Sequence, residues 1–456
     1  MNKILLILLI ISNSAFAGNY LDDNLKKLNW NDIEVVWLED DTFPTYNFTV
    51  YFHAGALTDS KKKQGVTEFM FSELTSGTTR YTKKEILEAL EFYGASYGSN
   101  VTHEYATYSV SGLVKDMTPT MMMVCHLLKN STFPVKEFHK TRKRVLTGLK
   151  NSVNNHGAIA SRVFREVSLE GTGYEAPVGG TIKSISKIKA KDLHNKLKFF
   201  TENVKKKIYI KGPTSIKSLE KVITKNCGWS GKKSNTIVEA KKVEKRSKDN
   251  NTIYLVPVPK ANQAQIRIGR YLTGSESSIE HTAKEFASRF LGGGFTSRLM
   301  QELRVKRGLT YSAGAYSSGQ KMYGRSGINT FTKNETIVDT LKVIREVIKS
   351  ESTKINPVNY NLSKRYLKGN YLFKLESSTA FLSNLLFFDH IGRAYKDIYK
   401  FPSEIDQVSI EKLSQTISEL YNWDNQIKVI VGSKALAKPL RKAGYKVKIL
   451  NYKKYL

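Results

Sequence analysis

Arg304 and Tyr311 lie seven residues apart in the stretch LGGGFTSRLMQELRVKRGLTYSAGAY, residues 291–316. A guanidinium and a phenol both donate hydrogen bonds, and together they suit a peptide carbonyl or the oxyanion formed when that carbonyl is attacked. Spacing alone favours the plainer reading, a surface arginine beside a half-buried tyrosine. No other motif competes for chemistry. The eight histidines include no pair at i, i+4 with an acid between them, and His103-Glu104 falls in an alternating, strand-like pattern where a helical zinc motif cannot form. Glu68 and Glu73 read as ordinary helix-surface carboxylates, and His53 and His390 as packed or surface histidines. There is no G-x-S-x-G elbow, phosphate loop or credible cysteine nucleophile.

The elements around Arg304 and Tyr311 follow from local pattern. Ala283, Phe286 and Phe290 recur at helical spacing, Gly292, Gly293 and Gly294 interrupt, and Phe295, Leu299 and Leu303 begin a second helical face. Lys306-Arg307 and Gly308 have the composition of a helix C-terminus, and Leu309, Tyr311, Ala313 and Ala315 then alternate as a half-buried strand does. The expected arrangement is helix, cap, strand. Arg304 sits on the last helical turn and Tyr311 on the incoming strand.

This stretch resembles the C-terminal-half motif of the pitrilysin family of zinc peptidases, which includes insulin-degrading enzyme and the mitochondrial processing peptidases. In that family an arginine and a tyrosine at this spacing complete the active site. Ser297-Arg298-Leu299 and Arg307-Gly308-Leu309 also look like the family, and the likeness covers nearly the whole chain after its leader. The resemblance implies that Arg304 and Tyr311 are auxiliary catalytic residues and that, with Gly292, Gly293 and Gly294, they contact substrate.

The family's zinc site does not survive in the sequence. Its first-half motif, H-x-x-E-H, aligns with Glu68-Phe69-Met70-Phe71-Ser72, so Glu68 and Ser72 replace the histidines and Phe71 replaces the general base. The distal glutamate falls at Thr147 or Gly148. Serine and glycine do not hold zinc, and phenylalanine accepts no proton. No metal site, and no cofactor, is therefore expected in this chain.

Two related halves are legible. Each opens on a strand (Phe48–Phe52; Ala264–Ile268) and closes on a strand ending in glycine (Lys207–Gly212; Lys428–Gly432), with helices at Val66–Leu74, Glu85–Phe92, Thr118–His156, Thr336–Ser350 and Val358–Leu375, and strand alternation over Ser96–Leu113. The expected fold is α+β: two homologous sandwich-like domains, each a mixed sheet with packed helices, as the resemblance also implies. The expected boundaries are 18–230 and 252–456, joined by the polar linker 231–251.

Residues 1–17 have the charged start, short apolar run and Ala15-Phe16-Ala17 ending of a cleavable signal peptide, and no later stretch is apolar enough to span a bilayer. The expected product is an exported, soluble, periplasmic protein. Its formal charge of +31 is scattered rather than striped, which argues against nucleic acid and for attraction to acidic partners or anionic envelope surfaces. Cys125 and Cys227 leave two readings open, a disulfide or two buried thiols.

The resulting expectation is a family member without zinc of its own, inactive alone, that lends Arg304 and Tyr311 to a zinc-bearing paralogous subunit in a heterodimeric peptidase. The alternative is an inactive homologue that binds peptides or acts as an envelope scaffold.

Overall fold

The computed structural model describes residues 23–232, 235–238, 251–273 and 277–455; the signal peptide expected at 1–17 and most of the linker expected at 231–251 lie outside them. The described chain divides into two compact units. One takes residues from 1–146, 178–239 and 374–386, the other from 147–177, 240–373 and 387–456. No described helix is long and apolar enough to cross a membrane.

The first unit is built on a six-stranded sheet in the order β1-β2-β6-β3-β5-β4, from β1 (Leu25–Trp30), β2 (Ile33–Glu39), β3 (Thr45–Phe52), β4 (Ser96–Val101), β5 (Ala106–Leu113) and β6 (Lys206–Gly212). Alternation in β3 sorts its side chains: Phe48, Val50 and Phe52 are fully buried, whereas Asn47, Thr49 and Tyr51 point to the opposite, more polar face. The closing strand β6 is inserted beside β2 in parallel and β3 in antiparallel.

The second unit repeats the plan in the order β12-β7-β11-β8-β10-β9, from β7 (Thr252–Pro257), β8 (Gln263–Thr273), β9 (Ala313–Gly319), β10 (Tyr323–Lys333), β11 (Ile427–Gly432) and β12 (Lys446–Ile449). Strand β11, the counterpart of β6, likewise sits between β7, in parallel, and β8, in antiparallel, but it does not close the second half as its glycine end implied, because β12 follows it and joins the sheet beside β7. The two sheets differ at one edge, where β1 pairs antiparallel and β12 parallel. This is the expected α+β repeat. The strands that actually open each sheet, β1 with β2 and then β7, precede those legible in the sequence.

Helices α1 (Val66–Ser72), α2 (Lys83–Phe92), α3 (Met117–Asn130) and α4 (Val135–Asn151) follow in the first half, then α5 (His156–Ser168). Each unit also borrows a segment from the other half of the chain. Helix α5, capped by Asn155, buries Ile159, Ala160, Val163 and Phe164 against Val256, Val258, Val429 and Val431 of the second sheet. That spacing is one apolar helical stripe, and each fully buried side chain of this size contributes about 1.5–3 kcal/mol. Conversely, Thr379, Leu382, Ser383 and Leu386 join Asn47, Thr49, Thr107, Ser109 and Tyr209 around a cavity of about 210 Å³ on the polar face of the first sheet.

Cys125 on α3 and Cys227 are joined in a disulfide spanning 102 residues within the first unit. The disulfide reading is the one realised.

Candidate functional site

The corner around Arg304 begins with α6 (Ser278–Gly292), whose start is fixed by a reciprocal capping box between Ser277 and Glu280. Ala283, Phe286, Phe290 and Leu291 bury its inner face. A β-carbon on Gly292 would lie 2.0 Å from the Ala315 nitrogen of β9, so the helix end meets the strand where no side chain fits. The chain then re-forms a π-helical turn, α7 (Met300–Val305), with Leu299 and Leu303 fully buried.

Gly308 reverses the chain with a φ of +61°. Its N–H donates to Arg304 O at 3.0 Å, and that of Leu309 to Leu303 O at 2.8 Å, satisfying carbonyls the helix end leaves open.

The incoming strand starts later than its alternation implied, at Ala313. Thr310 Oγ1 accepts from Ser312 N and donates to Ser312 O, while Thr330 Oγ1 donates to both Thr310 Oγ1 and Ser312 O. These bonds knot residues 310–312 into a bend, which turns Tyr311 outward. Its side chain is 76% exposed rather than half-buried.

Phe295 differs from expectation too. It precedes α7 instead of joining its buried face, is 71% exposed, and lies with its ring 5.1 Å from the Arg304 guanidinium. A cation over an exposed aromatic face is attracted by about 0.5–1 kcal/mol, enough to bias the arginine's orientation. Sequence reading missed this contact because the helical count runs through the break after Gly294.

Charge pairing sorts the basic residues of this corner. Glu302 accepts from Arg307 at 2.6 Å, Lys306 at 2.7 Å and Arg298 at 3.4 Å, and Arg298 reaches Glu351 at 2.6 Å. Burial raises the Glu302 carboxyl, but hydrogen bonds from Lys306 and Arg307 outweigh it and hold the group ionised. Arg304 pairs with no carboxylate among the described residues, and Tyr311 has no hydrogen-bond partner there. The two make no hydrogen bond to each other. What they offer is a pair of uncommitted donors on one corner.

Helix α1 explains physically why no zinc chemistry remains at the aligned motif. Its N-terminus is held by Asp59, whose carboxylate accepts from Gly65 N, Thr67 N and Thr67 Oγ1 and faces Lys196. Phe71 is 3% exposed, its ring 5.6 Å from that of Phe52 and 5.2 Å from that of Phe200, so the general-base position is occupied by core. Ser72 Oγ donates to Phe69 O at 2.8 Å. Glu68 is half-buried with its carboxyl pushed up by that burial.

Glu73, expected on the surface, is 2% exposed. Burial raises its carboxyl against the pull of Thr141, Lys83 and Arg144. Thr147 and Gly148 lie exposed on α4. His103-Glu104 is the β4–β5 turn rather than strand, organised by Thr102 Oγ1 accepting from Glu104 N and Tyr105 N. Among the described residues no group of three His, Cys, Asp or Glu side chains is placed to hold a metal ion. A serine engaged with the backbone and a phenylalanine locked in core do not fit zinc.

Residues 35–181 match the profile of "Insulinase (Peptidase family M16)", and residues 188–367 match that of "Peptidase M16 inactive domain". An uncharacterized zinc protease, YmxG, of Bacillus subtilis is 21% identical over 88% of this chain and 96% of its own. A non-peptidase homolog of the same name from Helicobacter pylori is 20% identical over 86% and 90%. The bovine mitochondrial-processing peptidase subunit beta is 20% identical over 75% and 70%. The crystal structure of a peptidase M16 inactive domain from Pseudomonas fluorescens superposes with a TM-score of 0.80, 21% identity, and coverage of 90% of this chain and 98% of that one, a likeness of fold.

Proposed function

The chain belongs to peptidase family M16, carrying both its insulinase and its inactive-domain regions, and from that premise we propose that it is an exported, non-catalytic subunit of a two-chain peptidase. In this reading a paralogous partner subunit holds the zinc and its base, and this chain supplies Arg304 and Tyr311. The observation that carries the reading is the sorting of charges at the corner. Arg298, Lys306 and Arg307 are committed to carboxylates, whereas Arg304 and the 76%-exposed Tyr311 keep their donors free of partners among the described residues.

Those donors suit an extended peptide's carbonyl oxygen, and they gain strength as negative charge develops on that oxygen. Gly292, Gly293 and Gly294 leave backbone close by for the substrate chain, although Gly292 is also needed where α6 meets β9. Zinc in the partner would supply the activated water. Two relatives are named as subunits, of mitochondrial-processing peptidase and of the cytochrome b-c1 complex, which supports partnering. The Cys125–Cys227 disulfide supports an oxidising compartment, hence cleavage of the leader at 1–17 and residence in the periplasm. Domains at 18–230 and 252–456 around a linker at 231–251 draw support from the strands of the two sheets, which fall in 25–212 and 252–449.

Purification of the chain from its native envelope tests the reading. A stoichiometric related chain with an intact H-x-x-E-H, and peptidase activity found only in the pair, is the expected result. A second reading, a peptide-binding scaffold, draws on the Helicobacter relative named a non-peptidase homolog, and it gains if the chain is recovered alone.

A further inference from the structure

The second sheet and helix α5 carry a group of arginines away from the Arg304 corner. Strand register places Tyr316 opposite Gly327, Arg325 opposite Tyr271, and Arg267 opposite Asn329, with Gly327 in turn opposite Gly269. Since cross-strand partners share a face and alternate residues return to it, Tyr316, Arg325 and Arg267 all point to the side of the sheet that α5 covers. The two glycines let other groups approach this face closely. A β-carbon on Gly327 would lie 2.7 Å from the Tyr316 hydroxyl, and one on Gly269 would lie 2.8 Å from the Phe164 ring, so the phenol lies over one glycine and helix α5 packs over the other. Arg165, one residue beyond Phe164 on α5, adds a third guanidinium.

These charges are not compensated from within. No carboxylate among the described residues makes an ion pair with Arg165, Arg267 or Arg325. Arg267 spends its donors on the neutral oxygens of Ser161, Ile266 and Gly157. Arg325 Nε is buried with no acceptor, and neither the Arg165 guanidinium nor the Tyr316 hydroxyl makes a hydrogen bond among the described residues. Burial, then repulsion from Arg325, depresses the Arg165 guanidinium. Burial raises the Tyr316 phenol, opposed by Arg325, Arg267 and Arg165, so the hydroxyl stays protonated and able to donate.

Half-buried like charges without a partner are costly to keep, and their usual partner is an anion. We propose that Arg165, Arg267, Arg325 and Tyr316 form an anion site for a phosphate-class dianion, free or carried as the head group of an anionic lipid. Three guanidiniums exceed what one carboxylate neutralises, and a tetrahedral dianion offers enough oxygens to take a fork from Arg165, a fork from Arg325 and the phenol together.

The experiment is calorimetric titration of the full chain with inorganic phosphate at constant ionic strength, which separates binding from screening. Saturable binding of about one phosphate per chain, weakened at least tenfold by Arg165→Gln and by Arg325→Gln, is expected for removal of a charge-assisted contact. Acetate at equal concentration should compete at least tenfold less well. Without phosphate, Arg325→Gln should unfold at a temperature no lower than the parent, because repulsion is relieved, which shows the variant folded. Vesicles containing phosphatidic acid form the second arm: binding lost in the same variants assigns a lipid head group, and phosphate binding without vesicle binding assigns the free anion. No heat with phosphate, equal competition by acetate, or unchanged binding in the Arg165→Gln, Arg325→Gln double variant would overturn the site. None of these outcomes depends on a partner subunit.

Discussion

Ser378 Oγ donates to Asp40 Oδ2 at 2.6 Å, joining residues 338 apart in sequence and fastening the segment that the first unit takes from the C-terminal half. Lys211 stands 3.5 Å from the same carboxylate, and Thr42 N donates to its other oxygen. Burial raises the Asp40 carboxyl, but the hydrogen bonds from Ser378 and Thr42 and the charge of Lys211 outweigh it and bring it down to about 2.

A depressed carboxyl stabilises the fold above its unfolded value and loses that contribution as pH falls through its folded one. From 3.8 to about 2, the contribution is about 2 kcal/mol at 1.36 kcal/mol per unit. Urea unfolding should therefore show stability falling between about pH 4 and pH 2 by more in the parent than in Asp40→Asn. Ser378→Ala should have a smaller effect of the same sign. Parallel pH profiles for parent and Asp40→Asn would remove this fastening role.

Lys206 gives a dependence at the opposite end of the scale. It is 2% exposed at the start of β6, its ammonium donates to Val204 O at 3.1 Å, and it lies 5.9 Å from the rings of both Phe52 and Trp229. Burial lowers it from 10.5 to about 7. The unfolded chain then binds more protons between those values, so stability should rise with pH from about 7 to 10 and be flat below. Lys206→Met should abolish that rise and leave the variant more stable at pH 7, by an amount on the order of a few kcal/mol. A rise that persists in the variant would transfer the effect to another group.

Rebuilding the zinc motif should fail for a reason of packing. Phe71→Glu puts a carboxylate among Phe52 and Phe200, where nothing in their rings pairs with it. A loss of about 3–5 kcal/mol in urea unfolding is expected, against about 1 kcal/mol for Phe71→Leu. The unaltered chain should retain no zinc after dialysis, measured by atomic emission. One equivalent of zinc held per chain would show a site that the aligned motif does not reveal.

How much was legible followed from how local the cause was. The repeat, the long helices and the Gly308 cap rest on periodicity and single-residue backbone preference, and a sequence displays both. The lost zinc motif was legible because residue type alone excludes the chemistry at Phe71 and Ser72. What was missed depends on distant partners. Tyr311 alternates like a strand residue, yet Thr330, nineteen residues on, knots the bend that exposes it. Glu73 has the spacing of a surface carboxylate but is buried beside Thr141. Helix α5 carries an ordinary apolar stripe, and no pattern within it says which sheet it will cover. Arg307 looks as free as Arg304 until Glu302 is seen to hold it.

That last contrast gives the sharpest test of the proposed function. In an assembled complex with a zinc-bearing partner, Arg304→Ala and Tyr311→Phe should each lower turnover roughly a hundredfold, about 3 kcal/mol of lost oxyanion stabilisation. Tyr311→Phe should change unfolding by no more than about 0.5 kcal/mol, because its exposed hydroxyl has no partner among the described residues, and Arg304→Ala by no more than about 1 kcal/mol, the attraction to the Phe295 ring. Substrate binding should fall less than turnover, since the donors tighten only as charge builds on the oxygen. Arg307→Ala should behave in the reverse way. It strips Glu302 of a 2.6 Å partner, so it should cost about 1–2 kcal/mol of stability while leaving turnover in the folded complex near the parent's. The double dissociation separates a catalytic role from a structural one at positions three residues apart. If Arg304→Ala and Tyr311→Phe both turn over at the parent rate in a complex that sediments normally, the corner plays no part in catalysis and the scaffold reading takes its place.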